Sequence, residues 1–364
     1  MLLSSGKSQS AALASEGGNK GNRWEPKGVT ILDQGGEQSR ARASWEKRES
    51  FQMKVASCTI WLDAAPLAAA CSRARGGNIG PMTPARSRRV DLKDRIGIDL
   101  GRRIRLEEGI QWAARHGVRY LDVQLDTEAN AFDTFDTARA KGVRAACERH
   151  GMHLGLHTLS AVNVAEYSPY VRDAVDQYLQ GYMDVSKRLG AEWIVVHAGY
   201  HFGADKPARM RAGLERLKRA ADYAHAVGAT LLLENLNKEP EDAEVHYLAH
   251  TVEEWRYYIA GIAAPSLRLS FTVNHAHLVP EGIDGFIDAL DFSRVAEVRL
   301  ADCFRLGKEV HLKPGAGDLD FAHMFKRVEG KGFTGHYTNA FGSLDDMLAA
   351  RDYLATKAAE AGVK

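Results

Sequence analysis

The chain has 364 residues, of which 45% are hydrophobic and 26% charged, with 48 basic side chains against 47 acidic ones. This globular composition suits two typical domains or one large α/β barrel. A net charge of +1 gives no global attraction to nucleic acid, so we expect no nucleic-acid partner. No run of eighteen apolar residues is present, so we expect no spanning helix and no membrane partner. The four cysteines form no CxxC pair, which favours a reducing cytoplasm.

The first 90 residues differ in composition from the rest. They contain 14 Lys or Arg and 7 Asp or Glu, whereas the remaining 274 residues contain 34 and 40. Glycine- and serine-rich runs without apolar periodicity are typical of disorder. We therefore predict a disordered basic extension, or non-native upstream sequence, over 1–90, and a folded domain over 91–364.

Beyond residue 94, short aliphatic runs alternate with helical patterns of about ten to twenty residues. The predicted strands are 96–99, 120–125, 153–159, 193–197, 230–235, 267–272, 297–301 and 335–339. Ser168 is a candidate N-cap for the helix after the third strand, and Thr251 and Ser343 are candidate N-caps of later helices.

Eight such units in about 270 residues are typical of a (β/α)8 TIM barrel, and a doubly wound open sheet is the alternative. An open sheet gathers its ligand groups at one switch point, whereas a barrel draws them from the ends of many strands. Polar residues follow nearly every strand from the third onward. This distribution favours the α/β TIM barrel.

The polar residues at these strand ends form a candidate site, because the carboxyl ends of barrel strands meet at one rim. They are His157, His197, Glu234, Asn235, Asn274, His275, Arg299, Asp302, Glu309, His311 and Asn339. A His or Glu that directly follows a buried run is costly unless it has a partner or binds a cation. The alternative for any one histidine is a hydrogen-bonded core residue. Together, imidazoles and carboxylates predict a divalent cation such as Zn²⁺, Mn²⁺ or Mg²⁺.

The order of several short motifs resembles that of the xylose isomerase-like barrels over residues 94–364. The most specific are Glu-Asn-Leu from Glu234 and Glu-Val-His from Glu309, the latter before the Pro-Gly-rich turn at Pro314. This superfamily groups sugar isomerases and epimerases, hydroxypyruvate isomerase and endonuclease IV. The resemblance therefore implies a TIM barrel and an enzyme acting on a small molecule.

The resemblance also implies metal ligands. For members with one catalytic metal it implies Glu, Asp, His and Glu after the fifth to eighth strands, but here only Glu234 is kept. Thr272, Arg299 and either Asn339 or Ala340 occupy the other positions. The endonuclease branch implies two outer ligand sets, and both are present: His157 with His197 and Glu234, and His275 with Glu309 and His311.

We predict catalytic roles for Glu234, His197 and His157. Arg299 is hypothesised to bind a carboxylate or phosphate of the substrate, because a guanidinium suits bidentate contact with such groups. The alternative is an ion pair of Arg299 with a nearby acid such as Asp302, Glu297 or Glu309. The other predicted substrate-binding residues are Asn235, His275, Asp302, Asn339 and Gln124.

The favoured function is a metal-assisted isomerase or epimerase, or a related lyase, acting on a small and sometimes acidic sugar-like or keto-acid substrate. An endonuclease IV-like phosphodiesterase and a metal-free ligand-binding barrel are the alternatives. The resemblance further implies a homo-oligomer formed through the outer helices.

Overall fold

The computed structural model of the chain describes residues 91–363. The extension predicted over 1–90 lies outside these residues, and the domain boundary at residue 90 stays a prediction. All eight predicted strands form, and an additional antiparallel ribbon pairs two short strands. The strands are β1 Ile96–Asp99, β2 Tyr120–Val123, β3 His153–His157, β4 Trp193–Val196, β5 Tyr200–His201, β6 Leu231–Glu234, β7 His246–Tyr247, β8 Leu267–Thr272, β9 Val295–Leu300 and β10 His336–Asn339.

The eight parallel strands close into a barrel in the order β1-β10-β9-β8-β6-β4-β3-β2. Because β1 pairs with both β2 and β10, the sheet has no edge. The predicted TIM barrel is therefore confirmed, and the doubly wound open sheet is excluded.

α-Helices cover the outside of the barrel, and one short α-helix lies at the rim of its cavity. Those of the described residues are α1 Leu106–Arg115, α2 Thr137–His150, α3 Arg172–Leu189, α4 Lys206–Val227, α5 Val252–Gly261, α6 Val273–His277, α7 Gly282–Ala289, α8 Phe321–Gly330 and α9 Leu344–Glu360. The N-caps at Thr251 and Ser343 are confirmed, since each side chain accepts from a backbone N–H in its first helical turn. Ser168 is not the N-cap of α3: its carbonyl accepts from Val171 and Arg172 in a preceding turn, so the helix begins later.

The barrel interior changes from apolar to charged toward the carboxyl ends of the strands. Near the amino ends, Trp193, Val195 and Leu232 form a buried cluster. Gly155 is required beside this cluster, because a Cβ at that position would lie 2.0 Å from the Trp193 ring. Polar and charged side chains, mostly buried, follow at the other ends of the strands, where the barrel opens.

Among residues 91–363, no helix is long and apolar enough to cross a membrane.

Candidate functional site

The carboxyl ends of the strands open into a cavity of about 800 Å³. This volume lies in the range of small-molecule sites, of roughly 300 to 1,000 Å³. Most of the residues that line it have polar or charged side chains, whereas the lining of a typical ligand pocket is largely apolar. The polar and charged lining residues are Asp99, Arg102, Arg103, Gln124, His157, Ser160, His197, Glu234, Asn237, Glu239, Thr272, Asn274, His275, Arg299, Glu309 and His311. The cavity therefore suits a small, polar ligand.

At the mouth of the barrel, β3, β4 and β6 bring together His157, His197 and Glu234, which we call the first His–Glu group. The His197 Nε2 atom lies 3.1 Å from Glu234 Oε2 and 3.2 Å from His157 Nε2. The His157 Nε2 atom lies 3.4 Å from the same Glu234 oxygen. All three side chains are buried, so these ligand atoms face one another with little access to bulk water.

The hydrogen bonds around His197 determine which of its nitrogens carries a proton. The Thr158 hydroxyl donates to the Val195 carbonyl at 3.0 Å, so at 3.3 Å it accepts from His197 Nδ1–H. Burial, as the largest effect, lowers the pKa of His197 and favours the neutral ring. The Nε2 lone pair of His197 therefore points at Glu234 and His157. Of the three facing atoms, His157 Nε2, His197 Nε2 and Glu234 Oε2, only His157 Nε2 is left to carry a proton.

This triangle has the dimensions of one face of a tetrahedral metal site. Two metal–ligand bonds of about 2.1 Å at a tetrahedral angle place their ligand atoms about 3.4 Å apart. The observed separations are 3.1, 3.2 and 3.4 Å. The buried His157 Nδ1 atom has no hydrogen-bond partner among the described residues and lies 3.9 Å from Asp99 Oδ2. The three facing atoms carry more lone pairs than there are protons between them. A divalent cation therefore fits this group.

Beside the first group, α6 and the loop after β9 bring together His275, Glu309 and His311, the second His–Glu group, with His275 Nδ1 3.7 Å from Glu234 Oε1. His275 Nδ1 donates to the Asn235 carbonyl at 2.8 Å, and His311 Nδ1 donates to the Ala340 carbonyl at 2.6 Å. Both Nε2 atoms therefore face Glu309 Oε1, at 3.4 and 2.7 Å. The buried Glu309 Oε2 atom has no hydrogen-bond partner among the described residues. The ligand atoms of this group also lie within reach of a single cation.

The second group differs from the first in its electrostatics. Burial lowers the pKa of His275, but the Glu309 charge outweighs it and raises the pKa above its ordinary value. Burial likewise raises the pKa of Glu309, yet His275 and His311 hold it at about 2. In the second group, a proton on His275 can therefore balance the Glu309 charge, as a bound cation would.

Arg299 lies deep in the barrel, and its guanidinium is bound by carboxylates of the chain. Its Nη2 donates to Asp99 Oδ2 at 2.7 Å, and its Nη1 donates to Glu297 Oε1 at 3.0 Å and to Asp122. The Arg299 side chain is only 2% exposed. The structure thus favours the ion pair over the anion-binding role, and adds two partners, Asp99 and Asp122, that were not predicted. We therefore no longer assign Arg299 to substrate binding.

Glu234 is held at both of its oxygen atoms. Its Oε1 accepts from the Thr272 hydroxyl at 2.5 Å and lies 4.0 Å from Arg299 Nε, while its Oε2 faces the two histidines. Burial alone would raise the pKa of Glu234, but His157, His197 and Arg299 hold it well below its usual value. This arrangement suits an ionised ligand with a fixed orientation better than a mobile base.

The other residues predicted to bind substrate separate into two classes. His275 and Gln124 line the cavity. Asn235 and Asn339 are buried and do not line the cavity. The Asn235 Nδ2 group donates to the Thr272 carbonyl, and its Oδ1 atom accepts from Thr272 N–H. The Asn339 Nδ2 group donates to the Met347 carbonyl. Each of these asparagines stabilises the barrel framework through its side-chain amide. We therefore assign neither of them to substrate binding.

Asp302 also lies outside the cavity lining. Its carboxylate is buried and accepts from four backbone N–H groups of the loop after β9, those of Cys303, Gly315, Gly317 and Leu319. These bonds leave Asp302 no role in substrate contact, but they anchor the loop that carries Glu309 and His311.

Three features of this site were not predicted from the sequence. Thr158 determines the tautomer of His197, and its only signal is its position directly after His157. Asp99 ends β1 and Asp122 lies in β2, but Gln124 was the one polar residue predicted to act from the first two strands. Arg102, at the rim of the cavity, has no neighbouring motif that would indicate a function.

Comparison with known proteins extends these observations. Over 155 residues the chain is 28% identical to a probable endonuclease 4 of Methanoculleus marisnigri, which covers 38% of this chain and 53% of that protein. The chain thus spans about half the length of this curated relative. The structure resembles a D-tagatose 3-epimerase-like protein with a TM-score of 0.64 and 18% identity, covering 73% of this chain and 98% of the other.

A D-allulose 3-epimerase from Methylomonas sp., solved with D-allulose, has a TM-score of 0.55 and 20% identity over 73% of this chain and 94% of the other. At these identities, the two solved structures show a shared fold. The family model described as xylose isomerase-like TIM barrel matches residues 110–356, more than half of the chain. The protein therefore belongs to the xylose isomerase-like TIM barrel family.

Proposed function

We propose that the protein is an isomerase or epimerase that acts on a small sugar-like or keto-acid substrate, with a divalent cation held by the first His–Glu group. The observation that carries this proposal is the triangle of His157, His197 and Glu234 at one end of a polar cavity. The structurally similar epimerases act on small sugars according to their names, which supports the substrate class.

The cation would supply Lewis-acid polarisation of a substrate carbonyl or hydroxyl oxygen. His157 and His197 would hold it together with Glu234. Thr158 orients the His197 ring, and Thr272 orients the Glu234 carboxylate. Because both oxygens of Glu234 are engaged, we revise its predicted catalytic role to that of a ligand.

Isomerisation also needs a side chain that takes a proton from carbon and returns it. We assign this role to His275, which lines the cavity. Its Nδ1–H is fixed on the Asn235 carbonyl, so Nε2, which lies 3.4 Å from Glu309 Oε1, is the atom that exchanges the proton. Burial lowers the pKa of His275, but Glu309 outweighs burial and raises it, which makes the ring a stronger base. A lyase reaction would use the same polarised carbonyl.

Proton exchange with solvent tests this proposal without knowledge of the product. Protein loaded with Mn²⁺ or Zn²⁺ is incubated in D₂O with D-fructose, D-tagatose, D-allulose and hydroxypyruvate, and deuterium entering next to the carbonyl is followed by NMR. We expect exchange with at least one substrate, a loss of about 10²- to 10⁴-fold in His275→Gln, and wild-type rates in the exposed control His323→Gln. Absence of exchange with every substrate would contradict the proposal.

A phosphodiesterase of the endonuclease type is the second candidate function. The endonuclease 4 relative and the presence of both His–Glu groups favour it. Against it, the net charge is +1 and Arg299 with its carboxylates occupies the space beside Glu234. Cleavage of an abasic-site duplex, with loss of that cleavage in Glu234→Gln, would establish this candidate instead.

A further inference from the structure

Arg102 lies at the cavity rim and has no carboxylate partner in the part of the chain that the structure describes. It is exposed, it lines the cavity, and it makes no hydrogen bond or ion pair within residues 91–363. The other two arginines of the lining differ from it. Arg299 is bound by carboxylates, and Arg103 donates to the Gly342 carbonyl at 2.9 and 3.1 Å. Arg102 is therefore available to a ligand.

The turn that carries Arg102 is held in place by its neighbours. Gly101 has a φ of +54° and donates its N–H to Asp99 Oδ1 at 2.6 Å, while its carbonyl accepts from Gln124 N–H at 3.0 Å. The Arg103 guanidinium joins this turn to the loop after β10. The backbone at Arg102 is thus fixed, which lowers the conformational entropy that binding a ligand would cost.

Gln124 adds a second unsatisfied group beside the same turn. Its side chain lines the cavity and makes no hydrogen bond to any residue that the structure describes. The backbone bond between Gln124 and Gly101 places the two segments side by side. A guanidinium and a neighbouring carboxamide N–H form a donor set that suits a carboxylate or phosphate.

The side of the cavity mouth that lies opposite Arg102 carries a negative charge, that of Glu239. In the closed barrel β1 and β6 lie four strands apart, and Glu239 lines the cavity from the loop after β6. Glu239 accepts from the neutral Asn237 amide at 2.6 Å and has no ion-pair partner among residues 91–363. A polyanion across the mouth would meet this carboxylate, whereas a ligand with one acidic end avoids it.

We propose, on the basis of the proposed function, that Arg102 and Gln124 bind the carboxylate or phosphate at one end of an acidic sugar substrate. The hydroxylated remainder of this substrate lies toward Glu239 and the first His–Glu group. Sugar acids and sugar phosphates are then preferred over neutral sugars of the same size.

Calorimetric titration of the full chain tests this inference, with D-gluconate and D-ribose 5-phosphate as acidic probes and D-glucose and D-ribose as neutral ones. The variants are Arg102→Gln and the control Arg105→Gln, an exposed arginine that pairs with Glu107 away from the cavity lining. We expect Arg102→Gln to lower the affinity for at least one acidic probe about tenfold or more. The affinities for the neutral probes should not change. Arg102→Lys should restore part of the affinity, and Arg105→Gln should bind like wild type.

Equal binding of both acidic probes by wild type and Arg102→Gln would overturn the inference, as would equal losses in the Arg105→Gln control. The titrations are repeated after EDTA treatment, so that anion binding by a cation is separated from binding by the side chains. The two acidic probes distinguish a carboxylate subsite from a phosphate subsite.

Failure of this inference can be distinguished from failure of the proposed function. If solvent exchange with neutral ketoses persists while Arg102→Gln has no effect on binding, the proposed function is retained. Arg102-dependent binding without exchange on any substrate would overturn only the proposed function.

Discussion

The Arg299 guanidinium serves as the internal counter-ion of three carboxylates, Asp99, Asp122 and Glu297. Removing one partner of a buried ionic cluster leaves uncompensated charge and typically costs about 3–5 kcal/mol. We therefore expect Arg299→Met to lower the free energy of unfolding by about this amount, or to prevent folding, as measured by urea denaturation.

A matched control for this variant is Arg351→Met. Arg351 is also only 2% exposed, but its guanidinium donates to backbone carbonyls, such as that of Lys93 at 2.9 Å. Losing hydrogen bonds to neutral acceptors should cost less, about 1–3 kcal/mol. If Arg299→Met were no more destabilising than Arg351→Met, the counter-ion role would be wrong.

Thr158 acts on the site through His197. Because its hydroxyl accepts from His197 Nδ1–H, the variant Thr158→Val should loosen the ring orientation and weaken cation binding about 10- to 100-fold. Competition titration with a fluorescent chelator measures this affinity. Thr356→Val, on the exposed side of α9, is the control, and unchanged affinity in Thr158→Val would contradict the positioning role.

At the scale of elements, the loop between β9 and α8 is organised by Asp302. In Asp302→Asn one carboxylate oxygen becomes an amide NH₂ that faces backbone N–H donors. We expect faster hydrogen exchange at Gly315, Gly317 and Leu319, followed by mass spectrometry. The control is Asp318→Asn in the same loop, whose exposed carboxylate accepts from Arg305 N–H. Equal exchange rates in Asp302→Asn and wild type would argue against this anchoring.

Helix α5 contributes an acid-sensitive interaction. Buried Glu254 lies 2.5 Å from Lys206 Nζ and 3.2 Å from His250 Nδ1. Burial raises its pKa, but these two residues outweigh burial and lower the pKa from 4.5 to about 2. Because the folded-state pKa is depressed, the stabilisation is present above about pH 4.5 and is lost as the pH falls toward 2.

The stability cost of Glu254→Gln, measured by urea denaturation, should therefore be about 1 kcal/mol smaller at pH 3.5 than at pH 5.5. Glu253→Gln, at the exposed neighbouring position, should show no such change. A pH-independent difference between wild type and Glu254→Gln would refute the role of this ion pair.

For the whole molecule, the barrel and both His–Glu groups could be predicted from the order of strands and motifs, because each ligand residue follows or lies near a strand end. The partners of Arg299 could not be predicted in this way. Asp99 and Asp122 precede it by 200 and 177 residues, and only barrel closure brings them together. Asn235, Asn339 and Asp302 have the residue types of a binding site, yet each lies outside the cavity lining and its side chain hydrogen-bonds to the backbone.

Metal content tests the account most directly. Wild-type protein and Glu234→Gln are loaded with Zn²⁺ or Mn²⁺, dialysed, and analysed by inductively coupled plasma mass spectrometry together with thermal unfolding. We predict at least one tightly held cation per wild-type chain, with one equivalent lost in Glu234→Gln, and a lower melting temperature of the wild type after EDTA treatment. A wild-type chain that retains no stoichiometric cation, or a Glu234→Gln variant that retains as much as wild type, would contradict the assignment of the first His–Glu group as a cation site.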